Sequence, residues 1–292
     1  MTEKLRAYYS LTKPRVMLAN ALTAAAGFLL ASGWLNNYDW WLFLALFTGS
    51  TLVIAAACVI NNYLDRDIDS KMERTKKRPT VTGQVGKVGA ISFGTVLGIS
   101  GLVVLSIWVN WLTVAIIAFG FIDYVWLYGA LSKRRSVHGT LVGSVSGAIP
   151  ILAGYTAVTN NIDAGAVLLF ASLFFWQLPE FYSIAIYRKQ EYAAANIPVI
   201  SVIKGVKHTK YQIFVYTWLF VLSAVLLGVF GYVGIIYRLV MLALGIYWLW
   251  LAGQGLKSAP KGDDAWARRM FHFSMIIILA YCVILAVGPL LP

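Results

Sequence analysis

The chain has 292 residues, 60% of them hydrophobic and only 12% charged, which excludes an ordinary soluble domain. Several continuous apolar runs reach the roughly 20 residues that a bilayer crossing needs. The formal charge of +12 would raise nucleic acid as a partner in a soluble protein; in a membrane protein, retention of cations on the cytoplasmic side explains it first, and no nucleic-acid partner is expected.

The N-terminal stretch MTEKLRAYYSLTKPRV is basic but has no short apolar core followed by a cleavage site, so it reads as neither signal nor transit peptide. Nine apolar spans follow, at about 14–33, 41–62, 88–109, 111–131, 138–158, 164–187, 211–230, 233–253 and 270–290. They are continuously apolar rather than alternating, so helices are expected and not a barrel. The fold class is therefore all-α and polytopic, a single membrane domain over residues 1–292. With the N-terminus in the cytoplasm, every Lys and Arg except Arg238 falls in an inner segment, while the outer loops WLNNYDW, VNW, TNNID and GYVG are short and nearly free of cations. The C-terminus is then outside. Trp34, Trp40, Trp41 and Trp111 fall at outer span ends, as an interfacial aromatic belt would. Cys58 and Cys282 lie in separate spans without CxxC or CxxCH spacing and predict no disulfide, zinc or covalent haem.

The second span ends in NNYLDRDIDSKMERTKKRP, residues 61–79, where acids and bases crowd together. Asn61, Asp65 and Asp69 are spaced i, i+4, i+8 and form one stripe on a helix continuing from the span, about 6 Å apart. Asn62 lies beside the stripe and Asp67 points elsewhere. Two carboxylates at that distance repel by about 3 kcal/mol at an effective dielectric near 20, so a cation is expected with them. The all-oxygen donor set favours Mg2+, which binds one or two carboxylates together with substrate phosphate. Arg66, Lys71, Arg74, Lys77 and Arg78 follow at once, and guanidinium groups suit phosphate oxygens. Paired acids and bases of an ordinary solvated loop explain the mixed charge but not the single-faced stripe.

Span 4 carries Asp123, and the segment after it, YGALSKRRS, brings Lys133, Arg134 and Arg135 to the same inner end. His138 opens span 5, in which Gly139, Gly143 and Gly147 share one face, a pattern of close helix packing or of a flat wall for a planar ligand. Span 6 ends in WQLPEFYSIAIYRKQEYAAANIP, with Glu180 inside the apolar run and Arg188 and Glu191 near the surface. An acid at that depth is a functional candidate; Glu180 and Glu191 are read as a second metal or substrate site, or Glu180 as a partner of Arg188 or Lys133.

The blocks LTKPRV (11–16), NNYLDRDIDSKMERTKKRP (61–79), SKRRSVHGTLVGSVSGAIP (132–150) and YAAANIPVI (192–200) stand in an order that resembles the UbiA superfamily of intramembrane prenyltransferases, over nearly the whole chain. Within it they resemble the branch that farnesylates haem. The resemblance implies nine helices around a central cavity open to the bilayer, with cytoplasmic cap loops. It implies transfer of farnesyl from farnesyl diphosphate to a vinyl group of haem b, with water completing a hydroxyethylfarnesyl arm. It also implies a place in the bacterial inner membrane and supply of a haem–copper oxidase assembly pathway. On this reading Asp65, Asp69, Arg74 and Lys133 are catalytic, and Asn61, Asp65, Asp69 and Glu180 hold Mg2+. Asn61, Asn62, Arg66, Lys71, Arg78, Arg134, Glu180, Arg188, Glu191 and His138 are expected to bind substrate, and Tyr63, Tyr128, Phe181 and Tyr182 to face an allylic cation. Asn62 stands where quinone-prenylating relatives carry Asp. Glu180 stands where the haem branch usually has His, and Asp123 replaces an apolar residue, as partner of a neighbouring helix or of the acceptor. Two rival readings are an aromatic quinone precursor as acceptor, and a secondary transporter, whose ions would sit at the midplane rather than at the inner edge.

Overall fold

The protein is described by a computed structural model over residues 3–33, 39–257 and 259–291. Among these residues, nine helices are long and apolar enough to cross a membrane, beginning at Pro14, Trp40, Lys87, Trp111, Gly139, Ala164, Gly205, Ile235 and Pro260. The starts agree with the expected spans to within a few residues, except that the seventh and ninth begin earlier, in polar sequence.

In chain order, α1 (Glu3–Leu11) leads into α2 (Pro14–Ser32), with Lys13 in the left-handed region at φ 53° turning the chain between them. Pro14 suits the first helical position, where its missing N–H costs nothing. Then come α3 (Trp40–Leu64), the single turn α4 (Arg66–Asp69), α5 (Lys87–Trp108) and α6 (Trp111–Ile122). From Asp123 to Ser132 the fourth span widens into a π-helix, which runs on into α7 (Lys133–Arg135). Two long helices follow, α8 (Gly139–Thr159) and α9 (Ala164–Tyr187), then the short α10 (Lys189–Ala194) and α11 (Ile200–Ile203). The last spans are α12 (Gly205–Val229), α13 (Ile235–Lys257) and α14 (Asp263–Val287).

The expected outer loops supply the helix starts. Asp39 accepts from the Trp41 and Leu42 amides at 2.9 and 3.1 Å, Asn110 from Thr113 at 2.9 Å, and Asp163 from Ala166 at 2.9 Å. Each satisfies donors that the first helical turn leaves open. Asn110 also donates to the Thr156 and Ala157 carbonyls, tying α6 to the end of α8. Trp40, Trp41 and Trp111 are exposed at this end of the molecule, and Trp34 lies outside the described residues. Cys58 and Cys282 are buried free thiols.

Lateral packing is densest between α3 and α5, α2 and α8, and α9 and α12. The α2–α8 crossing is close. A Cβ on Gly154 would strike the Ala24 carbonyl, and one on Gly27 the Ile151 carbonyl, both rigid backbone. Hydrogen-bonded helices gain from such approach in lipid, where apolar burial alone does not drive them together. Gly154→Ala is expected to destabilise the detergent-solubilised protein by about 1–3 kcal/mol, whereas Gly98→Ala, whose new methyl group meets only Ala56 at an ordinary 3.4 Å, should leave the thermal unfolding midpoint unchanged; paired melts check both.

Candidate active site

A cavity of about 810 Å³ lies at the centre of the bundle, lined by α2, α3, the π-helix, α8, α9, α14 and the segments around α4 and α10. Its body is apolar, with Leu29, Val53, Ile54, Phe121, Leu173 and Phe181 among the lining. Its charged end collects Lys13, Arg15, Asp65, Asp69, Arg74, Arg78 and Lys133.

The acidic stripe is built as its spacing suggested. The Asp65 amide donates to the Asn61 carbonyl at 2.9 Å and the Asp69 amide to the Asp65 carbonyl at 2.8 Å, so helical periodicity carries through the break between α3 and α4. Asn61, Asp65 and Asp69 are all buried. Lys133 Nζ reaches Asp65 Oδ2 at 2.5 Å, and Arg78 Nη1 reaches Asp69 Oδ2 at 2.5 Å. Asn61 Nδ2 donates to the same Asp65 oxygen at 3.0 Å. The other Asp65 oxygen and Asn61 Oδ1 are buried without a hydrogen bond, the former with Arg134 3.8 Å away. Asn61 Oδ1 fits only because residue 129 is glycine, since a Cβ there would come within 2.7 Å of it.

The two inner loops lock over this end. Ile68 and Met72 pack with Ala195 and Ile197 in a small apolar cluster bordered by Tyr192 and Val199. Thr75 Oγ1 bonds the Asp69 carbonyl at 3.0 Å, and Thr80 Oγ1 the Asn62 carbonyl at 3.1 Å. Asn196 takes a left-handed conformation, φ 57°, which asparagine tolerates better than most side chains.

The model of the UbiA prenyltransferase family matches residues 20–276. The chain belongs to the UbiA prenyltransferase family. Protoheme IX farnesyltransferase 2 of Chromobacterium violaceum is 44% identical over 97% of this chain and 93% of its own. Protoheme IX farnesyltransferase of Serratia proteamaculans is 43% identical over 97% and 94%. Among solved structures, one concerned with digeranylgeranylglyceryl phosphate synthase superposes with TM-score 0.83 at 21% identity, covering 99% of both chains. A UbiA homologue from Archaeoglobus fulgidus bound to GPP and Mg2+ superposes with TM-score 0.70 at 15% identity over 96% of this chain and 99% of that one, and establishes the shared fold.

Not every expected site residue of this UbiA protein reaches the cavity. Asn62 is buried away from it and donates to the Leu11 carbonyl at 2.7 Å, fastening α1 to α3. Arg66 lies over the Tyr63 ring, 4.2 Å from its centroid, and donates to the Tyr63 carbonyl, outside the cavity. Lys71 and His138 are exposed and line no part of it. Arg134 faces outward to Asp67 at 2.7 Å and to the Leu64 carbonyl. Arg188 and Glu191 pair with each other at 2.9 Å in a separate surface groove beside Lys210 and Asp263, so they do not meet Glu180. Glu180 does line the cavity, but no three His, Cys, Asp or Glu side chains near enough to share an ion occur among the described residues. Of the four candidate aromatics, Tyr128 and Phe181 line the cavity; Tyr63 and Tyr182 do not.

Lys13, Arg15, Tyr124 and Tyr192 also line the cavity and were not singled out as site residues. Lys13 Nζ stands 3.5 Å from the Tyr124 hydroxyl; its one signal is its place just before Pro14 at a span start. Asp123 accepts from the Ser146 amide at 3.0 Å, the helix–helix bond that was one expectation for it. The glycine face of α8 lines the cavity and packs closely beside it: a Cβ on Gly143 would meet the Tyr128 ring, one on Gly147 the Gln177 amide, and one on Gly139 the Lys133 backbone.

Asn62→Ala removes the tie to Leu11 and should cost about 1–3 kcal/mol in a chemical or thermal melt while leaving ligand affinity of the folded protein intact. The Asp67 carboxyl is lowered from 3.8 to about 2 by its hydrogen bonds from Arg134. A lowered value means that the pair's contribution is complete above the ordinary carboxylate range, declines as pH falls through it, and is gone below about 2. Since the Asp67 side chain is 60% exposed, Asp67→Asn at neutral pH should change stability by no more than about 1 kcal/mol.

Proposed function

We propose that this chain transfers the farnesyl group of farnesyl diphosphate to a vinyl group of haem b, with Mg2+ at the acidic stripe. The observation that carries the reading is the pair of bare buried oxygens, Asn61 Oδ1 and Asp65 Oδ1, at the cationic mouth of an apolar cavity. Unpaired buried oxygens are costly, and a hard cation satisfies them. Asn61, Asp65 and Asp69 fit the ion in donor type and would hold it. Bound there, Mg2+ would offset the negative charge that grows on the leaving diphosphate.

The remaining work belongs to the chain. Arg74, Arg78, Lys133 and Lys13 present cationic groups to the phosphate oxygens at the same mouth. Among the described residues Arg74 forms no ion pair, so it is available for this from the start. The apolar wall of Leu29, Ile54, Phe121 and Phe181 takes the isoprenoid and keeps water from an allylic cation. Tyr128 faces the same space beneath Lys133, where its ring is able to stabilise that cation. The relatives' names support haem b as acceptor. The chain acts on this reading as one membrane domain, in the bacterial inner membrane. The segregation of Lys and Arg supports an N-terminus in the cytoplasm and a C-terminus outside, and the product would feed assembly of a haem–copper oxidase.

Purified protein given farnesyl diphosphate, Mg2+ and haem b should release diphosphate and yield a farnesylated haem, detected by mass. Asp65→Asn and Asp69→Asn should each lower that rate by about 10²–10³ without loss of the folded state. Wild-type rates in both variants, or no change in haem mass with the wild-type protein, would refute the reading.

A further inference from the structure

The acids of the cavity differ in what holds them. Asp65 is engaged by Lys133 and Asp69 by Arg78. Glu180 lines the same cavity from α9, directly after Pro179, and is neither hydrogen-bonded nor ion-paired among the described residues. Arg188, two turns further on, is turned to Glu191 instead, and Lys133 to Asp65. Glu180 is thus a carboxyl with its lone pairs open to the cavity, on a wall that also carries Leu173, Trp176 and Phe181 and faces Met275, Ile278 and Leu279 of α14. An acid in an apolar membrane wall is costly and is retained for a use.

The chemistry proposed above leaves one proton to place, and the inference rests on that reading. The bond from farnesyl C1 to the diphosphate oxygen breaks, and its electron pair leaves with the diphosphate. The vinyl π pair forms the new bond from the terminal vinyl carbon to farnesyl C1. Positive charge then resides on the vinyl carbon attached to the porphyrin. A water molecule, the co-reactant, gives an oxygen lone pair to that carbon and must lose one proton. We propose that the Glu180 carboxylate is the general base that takes this proton, leaving the hydroxyl-bearing product and a neutral Glu180 carboxyl. A group already held by lysine or arginine has fewer open lone pairs for the task, and Glu180 is the one cavity acid without such a partner among the described residues. Without Glu180 to take the water's proton, the cation instead gives up a carbon-bound proton to the released diphosphate, which leaves an alkene lighter than the hydrated product by one water.

The test follows both diphosphate release and haem product mass in wild type, Glu180→Gln and Glu180→Asp. Glu180→Gln should release diphosphate within about threefold of wild type, since ionisation precedes the proton step, while the hydrated haem falls about a hundredfold and the dehydrated product takes its place. Glu180→Asp, which keeps a carboxylate, should restore most of the hydrated product and guards against a mere folding defect. Hydrated product from Glu180→Gln at the wild-type rate and proportion would overturn the assignment. So would joint loss of diphosphate release and product in Glu180→Gln with an unchanged melt, which would put Glu180 in ionisation or binding. A wild-type protein that never converts haem b fails the underlying reading, and the inference with it, whereas normal conversion with no change in Glu180→Gln fails the inference alone.

Discussion

Two buried carboxylates one helical turn apart set the terms for the rest of this protein. Asp65 and Asp69 would repel by about 3 kcal/mol near 6 Å in a medium of effective dielectric 20, and each is nearly closed to solvent. The fold answers with one cation for each: Lys133, delivered by the end of the fourth span, and Arg78, returned by the loop that follows the stripe. Removing either partner from such a pair would leave a buried charge, which is the expensive outcome. The arrangement is therefore self-consistent without a metal, yet it leaves one Asp65 oxygen and the Asn61 oxygen bare.

Those two pairs also organise the surrounding elements. Lys133 reaches Asp65 from the end of a ten-residue π-helix, a wide-turn geometry that recurs at functional sites. Gly129 in that segment admits the Asn61 amide, and Gly143 of α8 admits the Tyr128 ring. The loop carrying Arg78 is held by Thr75 and Thr80 and by the contact of Ile68 and Met72 with Ala195 and Ile197. Across the cavity lining there are five cations and three acids, Glu180 included, so the mouth carries an excess of positive charge suited to an anionic head group while the body stays apolar.

Much of this was legible in the sequence because hydrophobic runs and the 3.6-residue period are strong signals. The nine spans follow from length and apolarity, and the Asn61–Asp65–Asp69 stripe from i, i+4 spacing. What failed depended on direction rather than position. Arg66 and Lys71 share the charged block with Arg74 and Arg78, yet only Arg74 and Arg78 of these four line the cavity, and nothing in a run of bases says which do. Glu180 and Glu191 lie near each other in sequence but on opposite sides of the end of α9, one in the cavity and one paired with Arg188 in a surface groove. Asn62 looked like a member of the acidic site and proves to be a fastener for α1. Lys13 was hidden because its role depends on a left-handed residue between two helices and on contact with Tyr124, more than a hundred residues away.

The central claim is that a divalent ion and a diphosphate occupy the space that Lys133 and Arg78 partly neutralise in this structure. An experimental map of the protein with Mg2+ and a non-cleavable farnesyl diphosphate analogue tests it most directly. The account predicts an ion bonded to oxygens of Asn61, Asp65 and Asp69, phosphate oxygens within reach of Arg74, Arg78 and Lys133, and the isoprenoid along the wall that carries Phe121 and Phe181. Lys133 and Arg78 still closed on Asp65 and Asp69, with no ion beside them and the analogue bound elsewhere, would contradict it.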